Sequence, residues 1–264
     1  MEYLEFAMDL ARAAGEVLNY YASREKRVEL KGRANLVTIA DRESEALVVD
    51  RIRTAFPGHR ILAEESGAIE AAETDSAYRW VIDPLDGTTN YAHQYPMYSV
   101  SIALEVSGSI SCGAVYDPIR DEMFSAARGN GARLNGDAIS VSDVAVLGDG
   151  LLLTGFPYRI EERIGRALGL FREMMLRAQA VRRGGSAALD LCHLAMGRCD
   201  GFWELDLNPW DTAAGLLVVE EAGGRVTRFG GEPFAIDDRE ILASNGRIHE
   251  DMQAAIAAAR PIGT

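Results

Sequence analysis

The stretch Trp80-Val81-Ile82-Asp83-Pro84-Leu85-Asp86-Gly87-Thr88-Thr89 constrains this chain more than any other. Its apolar start reads as the end of a buried strand. That strand then runs into two acids with no basic residue between them. Two carboxylates about 4 Å apart repel by about 4 kcal/mol at an effective dielectric near 20. A proton, an arginine or a metal ion must offset that. Pro84, Leu85 and Gly87 supply no cation, and Arg79 lies before the strand end. Hard divalent cations take all-oxygen sites, and Mg2+ is held by a few carboxylates with water and phosphate. Gly87-Thr88-Thr89 then opens a helix whose first N–H groups suit an anion. Any fold for this chain must therefore carry a core strand out to paired acids beside an anion pocket. Taken one at a time, an Asp before a helix is also a common cap, and Asp-Gly a common turn.

The rest of the chain alternates between helical and strand periodicities. Leu4, Met8, Ala11, Leu18 and Tyr21 share one face of a helix over 2–22, and a second helix over 42–56 ends at Pro57-Gly58. A short strand covers 60–63, residues 68–77 form a surface excursion, and a strand covers 97–106. A hairpin pairs 111–116 with 122–126 around Asp117-Pro118. A fresh unit follows: strand 151–154, a break at Gly155-Phe156-Pro157, helix 160–178, helix 186–196, strand 201–205, helix 212–221, strand 241–244 and a C-terminal helix. Interleaved strands and helices predict a layered α/β (α+β) architecture, read as one domain over 1–264.

Three further acids sit where elements begin or end. Glu64 follows Ile61-Leu62-Ala63, Asp41 follows Leu36–Ala40, and Asp211 lies in Asn208-Pro209-Trp210-Asp211. A net charge of -13 argues against nucleic acid as a partner. It also argues against phosphorylated ligands, unless bound cations reverse the local field. Cys112, Cys192 and Cys199 read as reduced core thiols. The acidic, amphipathic N-terminus resembles neither a signal nor a transit peptide, and no apolar run approaches the roughly 20 residues of a membrane helix. The expected location is cytoplasmic, with no membrane partner.

Other chemistries lack support. His59, His93, His193 and His249 have no zinc-type spacing. No GxSxG occurs, Gly129-Asn130-Gly131 lacks the third glycine of a dinucleotide fingerprint, and neither Lys26 nor Lys31 lies in a P-loop. An EF-hand fails because Gln94 stands where its last ligand, Glu, is required.

Asp83-Pro84-Leu85-Asp86-Gly87-Thr88-Thr89-Asn90-Tyr91 closely resembles the signature of the inositol monophosphatase family, within the fructose-1,6-bisphosphatase-like phosphatases. The likeness extends to Leu62–Ser66, Thr154–Pro157, Gly185–Ala188 and Trp210–Gly215, nearly the whole chain. It implies a layered αβαβα sandwich, usually a homodimer. It also implies two to three Mg2+ ions. Glu64, Asp83 and the Leu85 carbonyl would hold the first, and Asp83, Asp86 and Asp211 the second, while Glu64 also helps retain a weaker third. Asp41 and Thr88, with Glu64, resemble the group that orients and activates the attacking water. The Gly87 and Thr88 N–H groups would receive the phosphate.

Phosphomonoester hydrolysis is among the slowest uncatalysed reactions, so charge neutralisation and positioning must supply most of the acceleration. Two adjacent cations can stabilise both the entering and the leaving oxygen. Glu204 matches the family's acid for hydroxyls of the alcohol, and Gly185-Ser186-Ala187 a loop lining the same pocket, which Asp86 and Asp211 also face. A carboxylate can accept two hydroxyl hydrogen bonds, as a polyol offers. The expected substrate is myo-inositol 1-phosphate or a related polyol phosphate, with Li+ as an inhibitor. Two alternatives stand: a broad sugar-phosphate phosphatase including fructose-1,6-bisphosphate, and a non-catalytic regulatory or partner-binding protein on the same fold. Thr89 departs from the Lys that relatives acting on 3′-phosphoadenosine phosphate carry there. Asp206 and Asn208 depart from the Gly and the basic residue of many relatives, and are expected to make the pocket more acidic. Arg182 and Arg183 are left open between substrate phosphate, a neighbouring subunit and a surface ion pair.

Overall fold

Helix α1 (Glu2–Ala22) buries Ala7, Leu10, Ala11, Ala14 and Leu18, a face rotated from the expected one so that Leu4, Met8 and Tyr21 are half-buried. The computed structural model describes residues 2–22, 28–30, 36–71, 77–157 and 160–262, with backbone alone for 28–30, 36, 37, 160 and 162. Lys26, Lys31 and residues 72–76 of the expected excursion lie outside the described residues. Strands β1 (Val28–Leu30) and β2 (Leu36–Thr38) pair antiparallel, and α2 (Ile39–Ala55) follows directly. The helix starts earlier than its apolar periodicity predicts because Thr38 caps it, accepting the Ala40 and Asp41 amides. Asp41 therefore lies inside the first turn rather than before it.

An eight-stranded sheet is built from β3 (Arg60–Ala63), β4 (Gly67–Ile69), β5 (Tyr78–Asp86), β6 (Ser99–Val106), β7 (Ser109–Asp117), β8 (Glu122–Ala127), β9 (Ala132–Leu134) and β10 (Asp137–Ala138). Its order is β10-β9-β8-β7-β6-β5-β3-β4, parallel only between β3 and β5. The expected hairpin forms, with Asp117 opposite Glu122. Strand β5 continues through Pro84 because a bulge interrupts its pairing with β6: Asp83 faces Ser101, and Asp86 faces Ser99. A proline has no ladder N–H to give, and a bulge relieves that demand. One turn, α3 (Thr88–Ala92), follows Gly87.

The second sheet holds β11 (Leu151–Thr154), β12 (Ala180–Arg182), β13 (Gly201–Leu205), β14 (Arg225–Thr227) and β15 (Glu240–Ser244), in the order β12-β11-β13-β15-β14. Helices α4 (Ile160–Arg177), α5 (Ala187–Ala195), α6 (Pro209–Glu221) and α7 (His249–Ala258) complete the chain. One core joins α1 and α2 to the outer face of the first sheet, including Leu10, Trp80 and Ile102. A second fills the space between the sheets with α5 and α6, around Leu191, Leu217, Phe124 and Phe202. The third seats α4 and α7 on the second sheet, around Met174, Leu242 and Met252. The layers run αβαβα, as expected. Each fully buried large apolar side chain contributes about 1.5–3 kcal/mol. The edge strands β4, β10, β12 and β14, and β9 next to one edge, have two or three residues each and are too short to carry a readable period.

Candidate active site

The acids of the opening stretch lie on the interior strand β5. Asp83 is 1% exposed and Asp86 9%. Asp83 accepts the Leu85 amide at 3.0 Å, a local bond made by the bulge. Burial pushes its pKa well up, and Glu64, Asp86 and Asp211 push it further. Asp86 is raised to about 6 by burial, although the Ser186 hydroxyl (2.7 Å), the Ala188 amide (2.8 Å) and the Arg183 charge pull the other way. Asp211, in the first turn of α6, is raised to about 7 by burial and by Asp86, against the pull of the Asn208 amide at 2.7 Å and of Arg239. The chain thus gathers β5, the 64–66 turn and the N-terminus of α6 into one negative well.

Asp41 and Thr88 meet as expected. The Thr88 hydroxyl lies 3.2 Å from Asp41 Oδ1 and 3.1 Å from the Leu85 carbonyl, with one proton to share between them. Asp41 Oδ2 accepts the Thr38 amide (2.8 Å) and hydroxyl (2.5 Å). Burial nevertheless raises Asp41 to about 6, aided by Glu65. That range suits a general base near neutral pH.

Gly87 enters α3 with φ of +98°, and a Cβ there would lie 3.0 Å from the Met97 carbonyl and 3.2 Å from that of Gly185. Only glycine lets these loops close on each other. Asn90 ties the same loops, donating to the carbonyls of Met97 (2.7 Å) and Gly184 (3.0 Å). A cleft with about 390 Å³ of open space follows, lined by Asp86, Gly155, Phe156, Arg183, Gly185, Ser186, Ala187, Glu204, Leu207 and Asp211. Glu204 is half-buried and its pKa is well raised, by burial and then by Asp190, Asp211 and Asp86. A Cβ at Gly155 would run into the Glu204 carboxylate, so the break after β11 makes room for this acid.

Asp206 and Asn208 do not add charge to the cleft, contrary to expectation. Asp206 sits near Arg239 (3.3 Å) and Arg163 (3.7 Å), and the Asn208 side-chain oxygen accepts from Arg239 at 2.8 Å. Of the two open arginines, Arg183 lines the cleft, while exposed Arg182 donates to its own neighbour's carbonyl, Val181, at 3.0 Å. All three cysteines are free and buried. Sequence reasoning missed Ser44, Glu45, Asn90 and Asp190. Ser44 and Glu45 carried a signal, their helical spacing from Asp41.

Among the described residues, no three acids, histidines or cysteines stand in a ready-made metal cage. The donor set still fits a hard divalent ion: carboxylates and a carbonyl, mutually repelling, with no lysine or arginine paired to Asp83 among the described residues. Glu64, Asp83, the Leu85 carbonyl, Asp86 and Asp211 are the groups that would hold it.

Layer order and site together define a class, the layered αβαβα phosphatases. The chain belongs to the inositol monophosphatase family, whose model its sequence matches over residues 1–262. It is 44% identical over 257 residues to the inositol-1-monophosphatase of Synechocystis, covering 97% of this chain and 89% of the relative. Similarity to the Nus factor SuhB of Escherichia coli is 42% over 253 residues, covering 95% and 94%. The solved inositol monophosphatase of Anabaena superposes with a TM-score of 0.89 at 46% identity, covering 99% of this chain and 97% of that one. The family is one of phosphatases and is generally metal-dependent.

Proposed function

We propose that this chain is a Mg2+-dependent phosphomonoesterase acting on myo-inositol 1-phosphate or a related polyol phosphate. The carrying observation is the mutually repelling group of buried Asp83 and Asp86 and half-buried Asp211 beside the Asp41–Thr88 pair. Bound divalent cations would neutralise that group and draw charge from the phosphate oxygens. Asp41, by way of the Thr88 hydroxyl, orients the attacking water and receives its proton. The water oxygen bonds to phosphorus, the phosphorus–alcohol oxygen bond breaks, and the alcohol leaves with a proton from solvent. The Gly87 and Thr88 N–H groups hold phosphate oxygens, a role that a one-turn helix fills through its amides more than through a macrodipole. Glu204, with the Gly185-Ser186-Ala187 loop, receives the alcohol's hydroxyls.

The test is a panel of phosphate esters with and without EDTA. A preference of at least about tenfold in kcat/KM for inositol phosphate, about 1.4 kcal/mol, marks the substrate class. Equal rates on fructose-1,6-bisphosphate would favour the broad sugar-phosphate reading. Activity unchanged by EDTA, or by Li+ at tens of millimolar, would count against the proposed site. A second reading has its own support in the 42% identity to proteins named Nus factor SuhB: a partner-binding role, beside or instead of hydrolysis. Homodimerisation is part of the proposal, and exposed Ile164, Leu168, Met175 and Leu176 on α4 favour it. No helix among the described residues is long and apolar enough to cross a membrane. A cytoplasmic location belongs to the same reading.

A further inference from the structure

The cation-binding groups come from separate pieces of chain, and something must fix the distance between them. Asp41, Ser44 and Glu45 are spaced three and four residues apart and so share one face of α2. All three are buried. Asp41 meets Thr88. The Ser44 hydroxyl donates to the Pro84 carbonyl at 3.2 Å, on the bulge between Asp83 and Leu85. Glu45, 3% exposed, receives the Glu65 amide on Oε2 at 2.8 Å. Its Oε1 receives the Ser66 amide at 2.9 Å and the Ser66 hydroxyl at 2.5 Å. The Glu64 amide itself donates to the Ile82 carbonyl at 3.2 Å. Glu64 is therefore fixed from two sides, by β5 before it and by α2 just after it.

A buried carboxylate is a demanding way to satisfy a turn, because it must be fully hydrogen-bonded to remain charged. It also adds negative charge near a site that already has an excess. What it provides is geometry: two rigid acceptors on a helix that simultaneously grips the neighbouring ligand strand. We infer that the Asp41–Ser44–Glu45 face of α2 is a jig, and that Glu45 and Ser44 are positioning residues for divalent-cation binding by Glu64 and the Asp83–Leu85 bulge. The inference rests on the proposed reading of those groups as cation ligands.

The experiment titrates MgCl2 into the EDTA-stripped, dialysed full chain by calorimetry, alongside kcat as a function of Mg2+. Glu45→Gln should weaken Mg2+ binding roughly 10- to 100-fold, as loss of an outer support does. Its kcat at saturating Mg2+ should return to within about threefold of wild type, since the ligands themselves remain. Ser44→Ala should shift the midpoint the same way by a few-fold. Glu43→Gln, which removes the same charge from the exposed face of α2, should leave it within about twofold. A Glu45→Gln variant that melts lower but binds Mg2+ like wild type would overturn the inference and leave Glu45 a structural acid. Should that variant not fold, Ser44→Ala decides, and an unmoved midpoint overturns the inference. Wild-type protein that takes up no Mg2+ would instead bring down the proposed function itself.

Discussion

Two strands of the central sheet end in nearly the same four residues, Asp83-Pro84-Leu85-Asp86 on β5 and Asp117-Pro118-Ile119-Arg120 after β7. Both leading aspartates are buried. Asp117 is fully answered: the amides of Ile119 (2.8 Å) and Arg120 (3.1 Å) donate to one oxygen, and the Arg120 guanidinium (2.6 Å) to the other. Asp83 has the Leu85 amide, and where the hairpin offers an arginine it meets a second acid. The one change of charge, Arg120 against Asp86, separates a segment that closes its own electrostatics from one that leaves them open. A buried acid reads as functional when its sequence neighbours deepen its charge instead of cancelling it.

The sharpest way to break this comparison is Asp83→Asn. Hydrolysis should fall by at least about 10^3-fold, the scale of losing a main electrostatic contact in the transition state. Because burial and neighbouring acids raise the folded pKa of Asp83, its charge opposes folding at neutral pH. The variant in EDTA should therefore melt no lower than wild type, as differential scanning fluorimetry would register. A clear drop in Tm would make Asp83 a structural acid like Asp117. The matching change, Asp117→Asn, should behave in the opposite way. It should cost about 1–3 kcal/mol in urea unfolding, most of it from the desolvated donors, since the half-exposed Arg120 charge is screened. Its kcat/KM per folded molecule should stay near wild type.

The smallest effect concerns a buried group satisfied only when neutral. Thr227 Oγ1 donates to the Arg228 carbonyl at 2.7 Å, so it accepts from His249 Nε2 at 2.9 Å, and His249 Nδ1 accepts from Ser244 at 2.8 Å. Burial lowers the pKa of His249 to about 4, with Arg225 adding to the effect. The unfolded chain then binds the extra proton between about pH 6.5 and about 4, so this contribution is whole above that window and lost as pH falls through it. The slope is at most about 1.4 kcal/mol per pH unit, and His249→Gln should flatten it in pH-dependent urea titrations. An unchanged slope would mean that His193, also lowered to about 4, carries the effect.

Much of this contrast was legible in the residues. Asp83, Asp86 and the absence of a nearby cation stand in the chain itself, and the longer helices and strands announce themselves by period. Boundaries were harder, because capping decides them: Thr38 draws α2 back past Asp41, and Pro209 starts α6 ahead of Asp211. Supports reached across the fold were invisible as such. Glu45 meets the 64–66 turn, and Arg239 quiets Asp206, only through tertiary contact. Asp206 adopts a φ of +72°, a backbone state no local pattern announced. A residue's type states what charge it brings, and only the fold states who answers it.

Strand β5 is flanked on both sides, by β3 and β6, so the floor of the cleft is fastened into the sheet's interior. Backbone there opens only with large parts of the molecule, and its amides should exchange with deuterium among the slowest. Another part of the lining, at Gly155, Phe156, Arg183, Gly185 and Ser186, joins elements instead of lying within them. Differences in the alcohol that is accepted should accordingly arise there, leaving the reaction's foundation unchanged from one substrate to the next.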